Sequence, residues 1–169
     1  MKSAQEDQYL EFVAARAKTL YRSAYVLAAG DTHLAEDLVQ ETLSRVYVHW
    51  KRVARAESPA AYAQTVLVRT SLTLRRRRST GERPIGNMPD SAAAGPDAAL
   101  RLTLLDALGQ LPPRERAVLL LLRYWEDRSI EETAQMLKLS SGAVRSQGTR
   151  ALNRVRALLG DSLSDLVPH

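Results

Sequence analysis

The sequence predicts an all-α protein made of two small helical units joined by a flexible linker. Three observations predict it. Apolar residues recur at three- and four-residue steps from Tyr9 to Leu159. Strand-like alternation is sustained nowhere. Between the periodic stretches, STGERPIGNMPDSAAAGP over residues 79–96 loses all periodicity and is dominated by Gly, Pro, Ser and Ala. The division that follows is a first unit over 6–80, a linker over 81–96 and a second unit over 97–160. Units of about 70 residues bury only about 60% of their unfolded surface, so a partner that holds them is physically reasonable.

In the first unit, Tyr9, Phe12, Val13, Leu20, Tyr21, Ala24 and Leu27 mark a long helix with Gly30 as its stop. Asp31 or Thr32 can cap the next, whose apolar line runs Leu34, Leu38, Val39, Leu43, Val46, Tyr47 and Trp50. Ser58-Pro59 is a third start, a capping hydroxyl before a proline at the first helical position. Tyr62, Ala63, Val66, Leu67, Thr70 and Leu74 keep the helical step up to Arg75–Arg78, positive charge that suits a helix C-terminus.

The second unit opens near Asp97 with Leu100, Leu104, Leu105, Leu108 and Leu111 on one face. Pro112-Pro113 ends that helix and starts RERAVLLLLRYWE as another. Ser129-Ile130-Glu131-Glu132 reads as a capping box. A short helix from Ile130 to Leu137, the turn KLS, and a second helix from about Ser141 then spell a helix-turn-helix, with small Ala134 where two crossing helices approach. Val144, Ala151, Leu152, Val155 and Leu159 face inward. Arg145, Ser146, Thr149, Arg150 and Asn153 face out, with Arg154 beside them. Arginine can grip guanine or clamp phosphate, and small hydroxyls allow close approach, so this face suits the major groove. Against that stands an ordinary helical hairpin with a basic surface. Lys138 occupies the turn position at which left-handed glycine is usual. Gly148 lies inside the second helix, either for close approach to DNA or a neighbouring helix, or merely tolerated.

Composition narrows the function. The 169 residues carry a formal charge of +5. Residues 1–80 hold 13 Lys/Arg against 8 Asp/Glu, and residues 81–169 hold 11 of each. Within that neutral half, Lys138–Arg156 contains five basic residues and no acid. Basic patches at Arg75–Arg78 and Lys138–Arg156 are the footprint expected of nucleic-acid contact at two places, although either alone could be a solvated face. Cysteine is absent and His33, His49 and His169 are scattered, so no metal or cofactor site is expected. No phosphate-binding glycine loop or nucleophile–base arrangement points to an enzyme. With no signal-peptide core after Met1 and no apolar run long enough to span a bilayer, the expectation is a soluble cytoplasmic protein without membrane insertion.

Together these stretches resemble a known family. HLAEDLVQETLSRVY, the arginine-ended AYAQTVLVRTSLTLRRRR, and LPPRERAVLLLLRYWEDRSIEETAQML followed by GAVRSQ occur here in the order and spacing of extracytoplasmic-function (group IV) sigma factors of bacterial RNA polymerase. The likeness covers about residues 6–160, and the Ala/Arg-rich composition looks actinobacterial. It implies a region 2-like helical bundle over 6–80, with core polymerase binding and recognition and melting of the −10 element. It implies a region 4-like helix-turn-helix over 97–160 for the −35 element.

The resemblance also assigns roles. DLVQET would dock on the clamp coiled coil of the polymerase β′ subunit, with the β subunit as a further contact. Asp37, Gln40, Glu41 and Ser44 fall on one helix face and would meet polymerase arginines. The stretch Lys51–Ser58 would be a loop that pockets a flipped base of the non-template strand. Lys51, Arg52, Arg55, Arg69, Thr70, Arg75, Arg76, Arg77 and Arg78 would serve the −10 element. Arg145, Ser146, Gln147, Thr149, Arg150 and Arg154 would serve the −35 element. Many relatives carry Asn near position 69, where this chain has Arg69-Thr70, so a −10 preference does not carry over. Trp50 and Tyr62 read as core. The family further suggests an anti-sigma factor that hides these faces, or transcriptional control in its place. The alternatives are a stand-alone helix-turn-helix regulator and a polymerase- or nucleic-acid-binding adaptor.

Overall fold

The computed structural model describes residues 2–78, 96–124 and 128–160. Among them are eight α-helices, one π-helical turn and no strand. The expected linker lies outside the described residues except for Pro96.

The first helix, α1 (Lys2–Leu27), buries Leu20, Ala24 and Leu27. It ends in a left-handed cap, Ala29 N–H donating to Val26 O and Gly30 N–H to Tyr25 O, both at 3.0 Å. Ala29 (φ 54) holds the first left-handed position and Gly30 (φ 88) the second, so the stop expected at Gly30 begins one residue earlier. Asp31 then caps α2 (Thr32–Val48), its Oδ1 accepting from Leu34 N–H at 3.1 Å. Leu34, Ala35, Leu38, Thr42 and Val46 line the buried side of α2.

A short helix, α3 (Trp50–Arg55), occupies much of the stretch expected as a loop over Lys51–Ser58. Buried Trp50 and Val53 anchor it, one turn apart on the same face. Tyr9 meets Tyr47 and Trp50 edge-on at 5.0 and 5.6 Å, Phe12 lies 5.3 Å from Trp50, and Tyr9 Oη donates to Leu43 O. Apolar contact thus outweighs the loop-like composition of the segment. Ser58 Oγ accepts from Ala61 N–H at 3.1 Å and starts α4 (Pro59–Arg78).

The second unit begins with α5 (Pro96–Gly109), and Pro113 opens α6 (Pro113–Leu119). The helix expected to run on through LLLLRY widens at Leu120–Tyr124 into a π-helical turn. The capping box is present: Ser129 Oγ accepts from Glu132 N–H, and Glu132 Oε1 accepts from Ser129 N–H. It opens α7 (Ile130–Leu137). The Ser129 N–H and Arg128 hold the Glu132 carboxyl below the ordinary carboxylate range. A depressed carboxyl stabilises the fold above its unfolded pKa, and that contribution is lost as pH falls through the folded value. Lys138 (φ 56, ψ 46) is the left-handed C-cap, with Leu139 N–H returning to Ala134 O at 2.9 Å. Ser140 caps α8 (Ser141–Leu159), which buries Val144, Ala151, Val155 and Leu159.

The two units are packed together. One apolar cluster runs from Leu20, Leu38, Leu67 and Val68 to Val118, Leu121, Met136 and Leu137, while Val26 of α1 packs on a second formed by α5 and α8. Arg116, 1% exposed, lies where they meet. Its guanidinium donates to Leu108 O and Leu27 O at 2.7 Å, to Leu111 O at 3.1 Å and to Gly109 O at 3.3 Å.

Replacing Lys138 by glycine removes the Cβ strain of the left-handed turn. The variant is expected to be about 1 kcal/mol more stable, read as a higher urea midpoint at unchanged slope. An unchanged or lower midpoint contradicts this account of the turn.

Candidate nucleic-acid interface

The helix-turn-helix presents one face of α8 outward. Arg145, Ser146, Thr149, Arg150, Asn153 and Arg154 are exposed, a row of cations, hydroxyls and one amide without an acid. Gln147 departs from the expected set. It is half-buried, and its Oε1 is buried without a hydrogen-bond partner. At one residue from Ser146 it has turned about 100° around the helix, away from that row.

Glu115 stands behind the row. Its side chain is 7% exposed, with Oε1 3.8 Å from Arg150 Nε and Oε2 3.5 Å from Arg154 Nε. These are ion pairs rather than good hydrogen bonds. The carboxylate therefore biases the two guanidinium groups while their outer sides remain in solvent. Gly148 has a packing role. A Cβ there would sit 3.2 Å from Leu122 Cδ1 and 3.6 Å from Val118 Cγ1, so its close approach is to α6 and the π turn. That position needs no DNA to explain it.

On α2, Asp37, Gln40 and Ser44 are exposed along one side. Glu41 is 43% exposed and pairs with Arg45, one turn on, at 3.1 Å. An exposed pair of this kind contributes about 0–1 kcal/mol, so Glu41 can exchange partners at little cost.

The remaining expected DNA contacts divide. Lys51, Arg52 and Arg55 are exposed on α3. Arg75–Arg78 form the last turn of α4, where side chains lie outside the described residues. Thr70 corrects the sequence reading. It is 1% exposed and its hydroxyl is buried, so it does not reach the surface. Arg69 is exposed at its edge but engaged, donating from Nε to Met136 O at 2.7 Å and from Nη2 to Gln135 O at 3.0 Å.

Four important residues escaped sequence reading: Gln64, Glu115, Arg116 and Arg128. Arg128 Nη2 donates to Gln64 Oε1 at 2.7 Å, linking the second unit to α4. A polar residue on an apolar face was the available signal for Gln64, and an arginine before AVLLLL for Arg116. Neither signal names a partner 64 or 89 residues away. Among the described residues no cluster of three or more His, Cys, Asp or Glu could hold a metal, and no helix is long and apolar enough to cross a membrane.

Fold and surface together define a helix-turn-helix protein of two helical units, with a basic face on one and an acidic-amide face on the other. Residues 7–80 match the family model for Sigma-70 region 2, and residues 107–157 match Sigma-70, region 4. The RNA polymerase sigma-E factor of Streptomyces coelicolor is 37% identical over 151 residues, covering 88% of this chain and 84% of that one. The ECF RNA polymerase sigma factor SigL of Mycobacterium tuberculosis is 33% identical over 150 residues, covering 85% and 84%. Among solved structures, the sigma factor RpoE in complex with the anti-sigma factor NepR, from Bartonella quintana, shares the fold. Its TM-score is 0.73 at 20% identity, over 91% of this chain and 98% of that one. The chain belongs to the extracytoplasmic-function sigma factors of the sigma-70 family.

Proposed function

We propose that this chain binds core RNA polymerase through α2 and directs it to promoters through two DNA-reading surfaces, one on each unit. The observation that carries the reading is the pairing of both sigma regions in one chain with two exposed faces of opposite character. Asp37, Gln40, Glu41 and Ser44 form a compact acceptor-rich patch suited to basic groups on the β′ clamp coiled coil. The α8 row suits a negatively charged duplex. A stand-alone regulator would leave the first unit and its acidic patch without a task. Catalysis belongs to the polymerase, and this chain supplies position.

In the −35 role, Arg145 and Ser146 near the start of α8 reach base edges, while Thr149, Arg150 and Arg154 follow the backbone. Glu115 limits how far the last two can swing. In the −10 role, Lys51, Arg52 and Arg55 on α3 and Arg75–Arg78 at the end of α4 hold the non-template strand.

Three measurements test the proposal. Run-off transcription with purified core polymerase on genomic fragments is expected to give discrete products that require this chain; operator binding by the isolated chain with no transcript would favour a regulator. Reversing charge at Asp37 and Glu41 together is expected to abolish core binding in a pull-down, and unchanged affinity would rule this docking face out. Arg145→Ala is expected to cost about 1–3 kcal/mol of discrimination at the −35 element, read from competition between matched and mutated promoters.

A further inference from the structure

The basic row of α8 is not free to move as a whole. Glu115, in the first turn of α6, has a side chain only 7% exposed, and its Oε2 is buried without a hydrogen-bond donor. The positive end of the helix favours a carboxylate there, but it offers a partial charge against a full one. Arg150 and Arg154, one turn apart on α8, supply opposing charge from 3.8 and 3.5 Å. Their side chains are 59% and 51% exposed, so each meets the carboxylate at Nε and stays open to a ligand on its outer side. Arg145, more than one turn earlier on the same face, is exposed.

A phosphate placed where Arg150 and Arg154 already stand can bind them while Glu115 stays paired. One that draws them outward strips the buried carboxylate of its counter-charges, and an uncompensated buried charge is strongly disfavoured. The penalty falls on loosely placed backbone contacts, which supply nearly all of non-specific binding. It spares the docked geometry in which base edges are read.

We propose that Glu115 is a positioning residue for promoter selectivity: it holds Arg150 and Arg154 back from indiscriminate phosphate contact and so widens the gap between a matched −35 element and other DNA. The inference rests on the DNA-reading role proposed above for α8. Specificity is a difference of affinities, so weakening the wrong complex serves it as well as strengthening the right one.

The test measures the full chain on a short duplex of random sequence, by fluorescence anisotropy over a range of salt. Glu115→Gln is expected to bind severalfold more tightly than the wild type, with a salt slope steeper by about one for each arginine released to phosphate. Glu115→Asp keeps the charge but withdraws the carboxylate by one methylene. It is expected to give a smaller gain of the same sign, and it decides the matter if Glu115→Gln does not fold. Asp106→Asn, which removes an exposed charge from α5, is expected to give no comparable gain. In a chain already carrying Arg150→Gln and Arg154→Gln, Glu115→Gln is expected to change nothing. Reconstituted with core polymerase, Glu115→Gln is expected to raise severalfold the run-off from a fragment with a scrambled −35 segment, relative to the intact fragment. Unchanged or weaker binding to the random duplex, an equal gain from Asp106→Asn, or a gain that survives without the two arginines would overturn the proposal. If the wild-type chain with core polymerase initiates on no fragment, the sigma reading fails, and the duplex measurements alone decide the role of Glu115.

Discussion

A single buried cation holds the two halves in register. Arg116 brings a guanidinium into an environment where an unsatisfied charge costs several kcal/mol. Four backbone carbonyls answer it, one from the end of α1 and three from the end of α5 and the turn after it. Carbonyls near helix C-termini carry the negative ends of the helix dipoles, so they offset charge as well as satisfy donors. The rigid planar fork of arginine can bridge three chain segments in this way; the point charge of lysine would not. With α1 and α5 meeting end to end, Val26 reaches the α5–α8 cluster and Leu105 comes within 3.8 Å of a Cβ placed at Gly30.

That geometry decides which surfaces are available. With Arg116 holding α6 against α1, Arg128, just before α7, falls beside α4, and Arg128 and Arg69 make the remaining crossings. Glu115, the neighbour of Arg116, points instead to α8 and restrains Arg150 and Arg154. Consecutive residues in the first turn of α6 thus serve different ends. One orders the seam, and the other orders the basic row of α8.

Local features were legible in the sequence because their causes are local. The capping box at Ser129–Glu132, the Asp31 and Ser58 caps and the left-handed Lys138 all depend on residues within four positions of one another. The inward row of α8 was legible for the same reason, since helical period alone sorts Val144, Ala151, Val155 and Leu159. Residues 51–55 were missed because Trp50 packs on distant aromatics and Val53 is buried one turn on, which loop-like composition conceals. Thr70 and Arg69 were misjudged together. Helical period already set Thr70 on the apolar line of α4, whereas the carbonyls that engage Arg69 come from residues 66 and 67 positions later. A flexible linker predicts separate units; it says nothing of whether they meet.

The chemistry of the seam also bounds how strongly it can close. Its polar ties are hydrogen bonds from arginine, each contributing about 1.5–3 kcal/mol at most. Arg69 is exposed, so water can replace part of what it loses, whereas the Arg128–Gln64 bond is largely shielded. Arg116 is buried, but breaking its bond to Leu27 O leaves three others intact. The same residue therefore serves the second unit's own fold as well as the seam.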